Sequence, residues 1–281
     1  MLRSADAAGQ GNVIALSDAR DESLYGGKSV NLGAMLREEL PVPDGWALSA
    51  DFAHDVADGD VAAIRQLLDF GDGLDDGLFA VRSSAIGEDS AETSFAGQHA
   101  TILGVRGAHA LVAAVLRVVK SGASQSALAY RKASGDSSSA RVGVAVQKLL
   151  DPVCAGVMFT RNPIDGKDER VVEAAWGLGE AVVASRVTPD RFRFARGGTF
   201  LQADAGDKPL SLHPLSGGGI EERALDAAKA TMLCLDDTDI AALEKLANDC
   251  ERVFGLHQDI EWAKADGRIY LLQARAITRV G

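Results

Sequence analysis

Cysteines and long apolar runs are scarce in this sequence, and each scarcity excludes a class of protein. The three cysteines among 281 residues, Cys154, Cys234 and Cys250, are widely spaced. They form neither the CxxC pattern of a redox motif nor the Cys/His spacing of a zinc site, so we expect reduced, packed thiols in a cytoplasmic protein. The sequence contains no 18-residue apolar run and no apolar signal-peptide core at its start. It therefore predicts neither a membrane span nor a secreted protein.

Positive charge is also in short supply. The 29 Lys and Arg residues are outnumbered by 40 Asp and Glu residues, which gives a formal net charge of −11. This balance argues against non-specific nucleic-acid binding, which needs an electropositive face. It leaves a phosphate ligand open, because a local group of cations and helix N-termini can oppose the overall sign. The length favours two lobes or two domains over one compact unit.

The most informative stretch begins with a short apolar segment, residues 78–81, which predicts a buried strand. Arg82 follows where that strand should end, and residues 83–98 are rich in hydroxyls, glycines and acids. Such a loop can offer backbone N–H groups and hydroxyls to a polyanion, and a guanidinium adds a bidentate fork for phosphate oxygens. A solvated turn in which Arg82 pairs with Glu88 or Asp89 is the alternative interpretation.

A second candidate phosphate contact lies at Gly26-Gly27-Lys28-Ser29, just before a helical apolar pattern. These residues are not a P-loop, because the glycine that the pattern requires at position 22 is Glu22. A glycine turn that leads into a helix, with a lysine at its electropositive end, still suits a phosphate. A solvated lysine at a helix N-terminus is the alternative.

Two predicted strands near the end of the sequence, residues 259–263 and 268–275, flank the strong hairpin signal Asp266-Gly267. A two-residue turn would set Glu261 opposite Leu272, whereas a three-residue loop would set it opposite Gln273. In the second register a carboxylate and an amide oxygen converge, and such oxygen ligands hold Mg²⁺ against nucleotide phosphates. A polar pair on the surface of an edge hairpin is the alternative.

Other segments give the outline of the chain. Residues 52–70 predict one helix, and residues 237–254 predict another that ends at Gly255. Residues 133–140 have the composition of a linker, so we place the lobe boundary there, with lobes 1–135 and 136–281. The strand predicted at 141–150 could form a hinge wall beside a planar base. The Gly-Leu-Gly-Glu at 177–180 lacks the third glycine of a dinucleotide-binding fingerprint.

Five motifs follow one another in the chain: Gly-Gly-Lys-Ser-Val-Asn-Leu-Gly (26–33), Val-Arg-Ser-Ser-Ala to Phe-Ala-Gly-Gln (81–98), Val-Gln-Lys to Thr-Arg-Asn-Pro (146–163), Glu-Ala-Ala-Trp-Gly-Leu-Gly-Glu (173–180) and Asp-Ile-Glu-Trp to Gln-Ala-Arg (259–275). In this order they resemble the nucleotide-binding domain of the phosphoenolpyruvate synthase, pyruvate phosphate dikinase and rifampin phosphotransferase family. The resemblance covers residues 25–278. It implies an α/β, ATP-grasp-like fold in which two lobes close on ATP, with the adenine at the inter-lobe strand.

The resemblance also implies roles for residues that match the family motifs in the first lobe and at the hinge. Lys28 would reach the nucleotide phosphates, and Arg82 would grip them. Gly97 and Thr101 would contact the phosphates through a backbone group and a hydroxyl. Gln147 would lie beside the adenine.

In the second lobe the resemblance implies that Glu261 and Gln273 bind Mg²⁺ and that Arg275 closes over the terminal phosphate. Together with Lys28 and Arg82, Arg275 would stabilise charge on the migrating group. Phosphoryl transfer needs little covalent chemistry from the protein, and its catalysis consists mainly of positioning and charge stabilisation. The expected cofactors are therefore ATP and Mg²⁺.

In this family a diphosphoryl group passes from ATP to a histidine on a swivelling domain, which leaves AMP. None of the five histidines here lies in the Gly-rich Thr/Ser-x-His loop of such a domain. We therefore expect a stand-alone chain that passes phosphoryl groups to a separate histidine-bearing protein and then to a small-molecule acceptor, with no nucleic-acid or membrane partner. A kinase that phosphorylates a small acceptor directly, giving ADP, and a non-catalytic ATP-binding subunit are the alternatives.

Overall fold

In the computed structural model, the described residues are 11–86, 100–133 and 141–277, and for residues 122–133 this means the backbone alone. The chain divides into two compact units. The first contains the described residues 11–37, 44–86, 100–133 and 141–148, and the second contains residues 38–43 and 149–277. No helix within the described ranges is both long enough and apolar enough to cross a membrane.

The first unit is built on one antiparallel sheet with the strand order β1-β2-β5-β3-β4. Its elements are β1 (Val13–Ala15), a 3₁₀ turn (Leu16–Asp18), α1 (Glu22–Arg37), β2 (Gly45–Leu48), α2 (Ala50–Asp58), α3 (Val61–Asp72), β3 (Phe79–Ala85), β4 (Thr101–Val105), α4 (Ala108–Ala133) and β5 (Val142–Lys148). The strand predicted at 141–150 is β5, and it lies between β2 and β3. The first unit therefore extends beyond residue 135 to Lys148.

One face of this sheet forms the core of the first unit. Phe79 and Val81 of β3 and Val144 of β5 are buried together with Leu67 of α3 and Val115 of α4. Alternate residues of a strand point to opposite faces, so the residues between these, such as Ala80 and Arg82, lie on the other face.

The single helix predicted over residues 52–70 is wrong, because the chain forms two helices there, α2 and α3. Gly59 ends α2 in the left-handed conformation with φ +87°, which glycine adopts readily. Asp60 then caps α3, since its side chain accepts a hydrogen bond from the Ala63 N–H at 2.8 Å. The apolar periodicity continues across both helices and hides the break.

The second unit is built on a larger antiparallel sheet with the order β13-β12-β6-β7-β8-β9, beside the hairpin β10-β11. Its elements are β6 (Cys154–Phe159), β7 (Glu169–Trp176), α5 (Glu180–Val183), β8 (Asp190–Ala195), β9 (Phe200–Asp204), β10 (Leu210–Pro214), β11 (Ile220–Ala224), α6 (Ala227–Ala230), α7 (Asp237–Phe254), β12 (Gln258–Ala265) and β13 (Arg268–Ala276). The predicted helix at 237–254 and the predicted hairpin are confirmed as α7 and β12-β13.

Helix α7 covers one face of the larger sheet and is tied to it by ion pairs. Arg170 of β7 is fully buried and donates hydrogen bonds to Glu244, Asn248 and Glu251 of α7 at 2.8–3.1 Å. Arg196, which follows β8, also binds the Glu251 carboxylate. Because α7 lies on the face that carries Arg170, the residues that alternate with it point to the opposite face of the sheet.

The two units together confirm the predicted α/β class. Each has its own sheet, its own helices and its own buried apolar residues. The candidate site residues are therefore described unit by unit.

Candidate functional site

Lys28 owes its position to a break in α1. The helix is interrupted at Gly26, whose φ of 76° and ψ of 163° are not helical. A Cβ atom at Gly26 would lie 1.9 Å from the backbone oxygen of Ser84, so only glycine permits this approach to β3. The Ser29 N–H then donates a 2.9 Å hydrogen bond to the Ser84 Oγ. The glycine turn therefore holds the start of the second helical segment against β3.

Lys28 is 5% exposed, and its Nζ donates a 3.2 Å hydrogen bond to the backbone oxygen of Ser83. Arg82, the preceding residue of β3, is also buried. It shares its strand face with Ser84, which contacts α1, and so lies on the same side of the sheet as Lys28. The structure thus brings the two predicted phosphate-binding cations to one segment of β3.

Two further predicted residues share this face of the first sheet. Thr101 is directly opposite Arg82 in the β3-β4 pair. Gln147 is buried and directly opposite Ala80 in the β3-β5 pair, and Ala80 points the same way as Arg82. Gly97, the remaining residue of the predicted phosphate loop, lies outside the described residues.

Glu261 and Gln273, the two residues predicted to bind Mg²⁺, are directly opposite each other, although the turn differs from the one that the sequence associated with this register. Asp266 and Gly267 make a two-residue turn with φ of 50° and 71°, as a type I′ hairpin requires. The register nevertheless places Glu261 opposite Gln273, because a β-bulge at this point leaves Leu272 as the extra residue between Leu271 and Gln273. Of the two alternatives from the sequence, the turn is thus the two-residue one, whereas the register is the one expected for the three-residue loop.

Arg275 lies on the same face and is held by a residue that the sequence analysis did not identify. Its Nε and Nη2 donate to the Asp259 Oδ2 at 2.9 and 2.7 Å. Burial raises the pKa of the Asp259 carboxyl, Arg275 opposes that effect, and the nearby Glu261 charge raises the pKa further. Asp259 is two residues before Glu261, so the two-residue period of a strand is the signal that would have found it.

The donor set fits Mg²⁺ better than other metals. Within the described ranges, no group of three or more His, Cys, Asp and Glu side chains is arranged to hold a metal ion. Glu261 and Gln273 supply one carboxylate and one amide oxygen on adjacent strands. Mg²⁺ takes one or two carboxylates and completes its shell with water and substrate phosphates, whereas Ca²⁺ and structural Zn²⁺ need fuller protein cages.

The candidate residues therefore form two groups. Lys28, Arg82, Thr101 and Gln147 share one face of the sheet in the first unit. Glu261, Gln273, Arg275 and Asp259 share the face of the second unit's sheet that points away from α7. The first group offers cations and hydrogen-bond donors for phosphates, and the second offers oxygen ligands for a cation beside a guanidinium.

Comparisons with known proteins bear on this chemistry. The family model described as "Pyruvate phosphate dikinase, AMP/ATP-binding domain" matches residues 57–281. A probable phosphoenolpyruvate synthase from Methanothermobacter thermautotrophicus is 33% identical over 93% of this chain and 45% of its own length. Rifampicin phosphotransferase from Streptomyces sviceus is 37% identical over 71% of this chain and 23% of its own length. The chain thus spans less than half the length of these relatives.

Among solved structures, the D-alanine–D-alanine ligase of Bacillus anthracis is similar to this chain at 12% identity and a TM-score of 0.39. The match covers 93% of this chain and 59% of the ligase.

Proposed function

This chain belongs to the pyruvate phosphate dikinase AMP/ATP-binding domain family, and from that premise we propose that it is an ATP-dependent phosphotransferase domain. The observation that carries the proposal is the cross-strand pair of Glu261 and Gln273, with Arg275 on the same sheet face. A purely structural hairpin has no need of a bulge that brings a carboxylate and an amide oxygen together.

In the proposed site, Lys28 and Arg82 bind the phosphates, Thr101 adds a hydroxyl, and Gln147 contacts the adenine. Gly97 would supply a backbone contact to the phosphates. The burial of Lys28, Arg82 and Gln147 supports these roles, because a charged or amide group in a low-dielectric position interacts more strongly with a ligand than one in water.

Glu261 and Gln273 would hold Mg²⁺, which neutralises phosphate charge when bound. Arg275 would stabilise the charge that develops on the migrating group, and Asp259 would orient its guanidinium. Such preorganised donors commonly contribute about 10²- to 10³-fold each to a rate.

We propose that the acceptor is a histidine of a separate protein. The imidazole nitrogen attacks the β-phosphorus and forms a P–N bond to it. The bond between the β-phosphorus and the oxygen that bridges it to the α-phosphorus breaks, so AMP leaves with that oxygen. Loss of the terminal phosphoryl group to water gives inorganic phosphate, and the remaining phosphoryl group passes to a small molecule. The buried free thiols suit a reducing compartment, so we place this chemistry in the cytoplasm.

Product analysis tests the proposal. The purified chain is incubated with Mg-ATP alone, with a histidine-bearing candidate partner, and with small-molecule acceptors, and AMP, ADP and phosphate are measured. AMP and phosphate that appear only with the partner are the expected result. ADP formed with a small molecule alone would instead show a direct kinase, and tight binding without turnover would show an ATP-binding subunit.

A further inference from the structure

Glu173 of β7 and Arg191 of β8 are charged side chains that the proposed function leaves unused. They are directly opposite each other in the β7-β8 pair, and both are half-buried. Within the described part of the chain, neither side chain makes a hydrogen bond or an ion pair, and the Arg191 Nε is buried without an acceptor. A buried donor without an acceptor is rare in a native protein and calls for a missing partner.

Their position relates them to the candidate metal pair. One residue from each of the strands β13, β12, β6, β7 and β8 lies in a single row across the sheet. In that order they are Gln273, Glu261, Val157, Glu173 and Arg191. Directly opposed residues point to the same face, which here is the face away from α7. Glu173 lies two strands from Glu261, which is about 10 Å at the usual strand spacing.

That separation matches a nucleotide laid across the strands. It is close to the distance between the terminal phosphates and the sugar of an extended nucleoside triphosphate. Among the described strands β13 is at the edge of the sheet. A nucleotide that lies across the strands with its terminal phosphates at Glu261 and Gln273 extends toward β7 and β8, and in that orientation its sugar comes to Glu173 and Arg191.

The chemistry of the pair also fits a sugar. Each ribose hydroxyl has one donor and two acceptor positions. A carboxylate can accept from one hydroxyl of a vicinal diol while a guanidinium donates to the other. Val157, half-exposed between Glu261 and Glu173, offers an apolar contact beneath the sugar.

We propose that Glu173 and Arg191 bind the ribose hydroxyls of the nucleotide and so select ribonucleotides over 2′-deoxyribonucleotides. The proposal rests on the proposed function, because it places the triphosphate at Glu261 and Gln273. It adds a specificity determinant to that site.

The test compares dissociation constants of Mg-ATP and Mg-2′-deoxy-ATP by calorimetry. Loss of one hydrogen bond to a charged group corresponds to about tenfold or more in affinity, so the wild-type chain should prefer ATP by at least that ratio. In Glu173→Ala the ratio should fall to about one because ATP binds more weakly while 2′-deoxy-ATP binds as before. Arg191→Ala should instead lower the preference for ATP over 3′-deoxy-ATP, the probe for the other hydroxyl, and should change the 2′-deoxy-ATP ratio less than Glu173→Ala does.

Glu173→Gln keeps the side-chain shape and should give an intermediate ratio. Glu221→Gln, on the hairpin β10-β11 where Glu221 pairs with Arg223, is the matched control and should keep the wild-type ratio. If the wild-type chain binds both nucleotides equally, or if Glu173→Ala weakens both equally, the inference is wrong while the proposed function stands. If neither nucleotide binds, both fail.

Discussion

Gly26 is the residue on which the position of Lys28 depends. Its φ of 76° is unfavourable for any residue with a side chain, and its missing Cβ would lie 1.9 Å from the Ser84 oxygen. Gly26→Ala should therefore lower the free energy of unfolding by about 2 kcal/mol or more, since backbone strain of about 1–3 kcal/mol is combined with a steric clash. Urea denaturation measures the loss.

Gly59→Ala is the matched control for this prediction. Gly59 also has a positive φ, 87°, but a Cβ there would meet nothing within 4 Å. Its substitution should cost about 1 kcal/mol, the usual penalty for a left-handed alanine. Equal losses in the two variants would show that the approach of α1 to Ser84 is unimportant.

Single residues were predictable from the sequence where a motif names them, and their partners were not. Lys28 and Arg82 were proposed as phosphate contacts from local chemistry and from the family resemblance, and that role stays a prediction. The contact between Lys28 and Ser83, which are 55 residues apart in the chain, depends on the packing of α1 against β3. The Asp259–Arg275 pair follows from the hairpin register, which the bulge sets.

The helix α7 is the element that the sequence specified most completely. Asp236 and Asp239 form a capping box, in which the Asp236 Oδ1 accepts from the Asp239 N–H at 2.9 Å and the Asp239 Oδ2 accepts from the Asp236 N–H at 3.1 Å. Gly255 ends the helix. In contrast, no local sequence signal predicts the bulge at Leu272. The register between β12 and β13 is set together with the pairing of β12 with β6 on its other side, which is a long-range contact.

Removal of this cap should destabilise the protein. Asp236→Ala should lower the free energy of unfolding by about 1 kcal/mol, the usual value for an N-cap. Asp237→Ala, exposed in the first turn, should lose only the weaker helix-dipole interaction, about 0.3–1 kcal/mol at low salt. The hydrogen bond from the Asp239 N–H lowers the pKa of Asp236. The difference between Asp236→Ala and wild type should therefore shrink as the pH falls through that lowered pKa.

The ion pairs that attach α7 to its sheet should be lost at low pH. Burial alone would raise the pKa of Glu251, but hydrogen bonds from Arg196 and Arg170 outweigh it and hold the pKa at about 2. A carboxyl with a lowered folded-state pKa stabilises the protein fully above its unfolded pKa of about 4.3, and that contribution is lost as the pH falls toward 2. Stability measured in urea should therefore drop in this window.

Glu251→Gln isolates the contribution of this carboxyl. At pH 7 it should lower the free energy of unfolding by at most about 3 kcal/mol, the lower end of the range for breaking a buried pair, because the fully buried Arg170 loses one of its two carboxylate partners and keeps Glu244. Near pH 2.5 its difference from wild type should be much smaller. Asp249→Asn, which removes a pair with the exposed Lys245, should change stability by less than about 1 kcal/mol at either pH. A constant difference for Glu251→Gln at both pH values would contradict the assignment.

At the scale of the whole molecule, the sequence predicted two lobes, but composition alone could not assign β5. The segment at 133–140 has the composition of a linker, yet the strand that follows it pairs with β2 and β3 of the first unit. Strand pairing is a long-range property, and the alternating valines of β5 fit either sheet. The seven residues in the described ranges that the sequence assigned to ligand binding are split between the units, four in the first and three in the second.

The proposed nucleotide binding leads to a prediction about the intact chain. A ligand that binds only the folded state stabilises it by about 2.7 kcal/mol at one hundred times its dissociation constant, so saturating Mg-ATP should raise the melting temperature by several degrees. Lys28→Met and Glu261→Ala should each reduce that rise, because Lys28 is proposed to bind the phosphates and Glu261 the Mg²⁺. Lys167→Met and Glu221→Gln, whose partners are Asp165 and Arg223, should keep it. If the melting temperature of Lys28→Met or Glu261→Ala rises with Mg-ATP as much as that of the wild type, the substituted residue does not contribute to nucleotide binding.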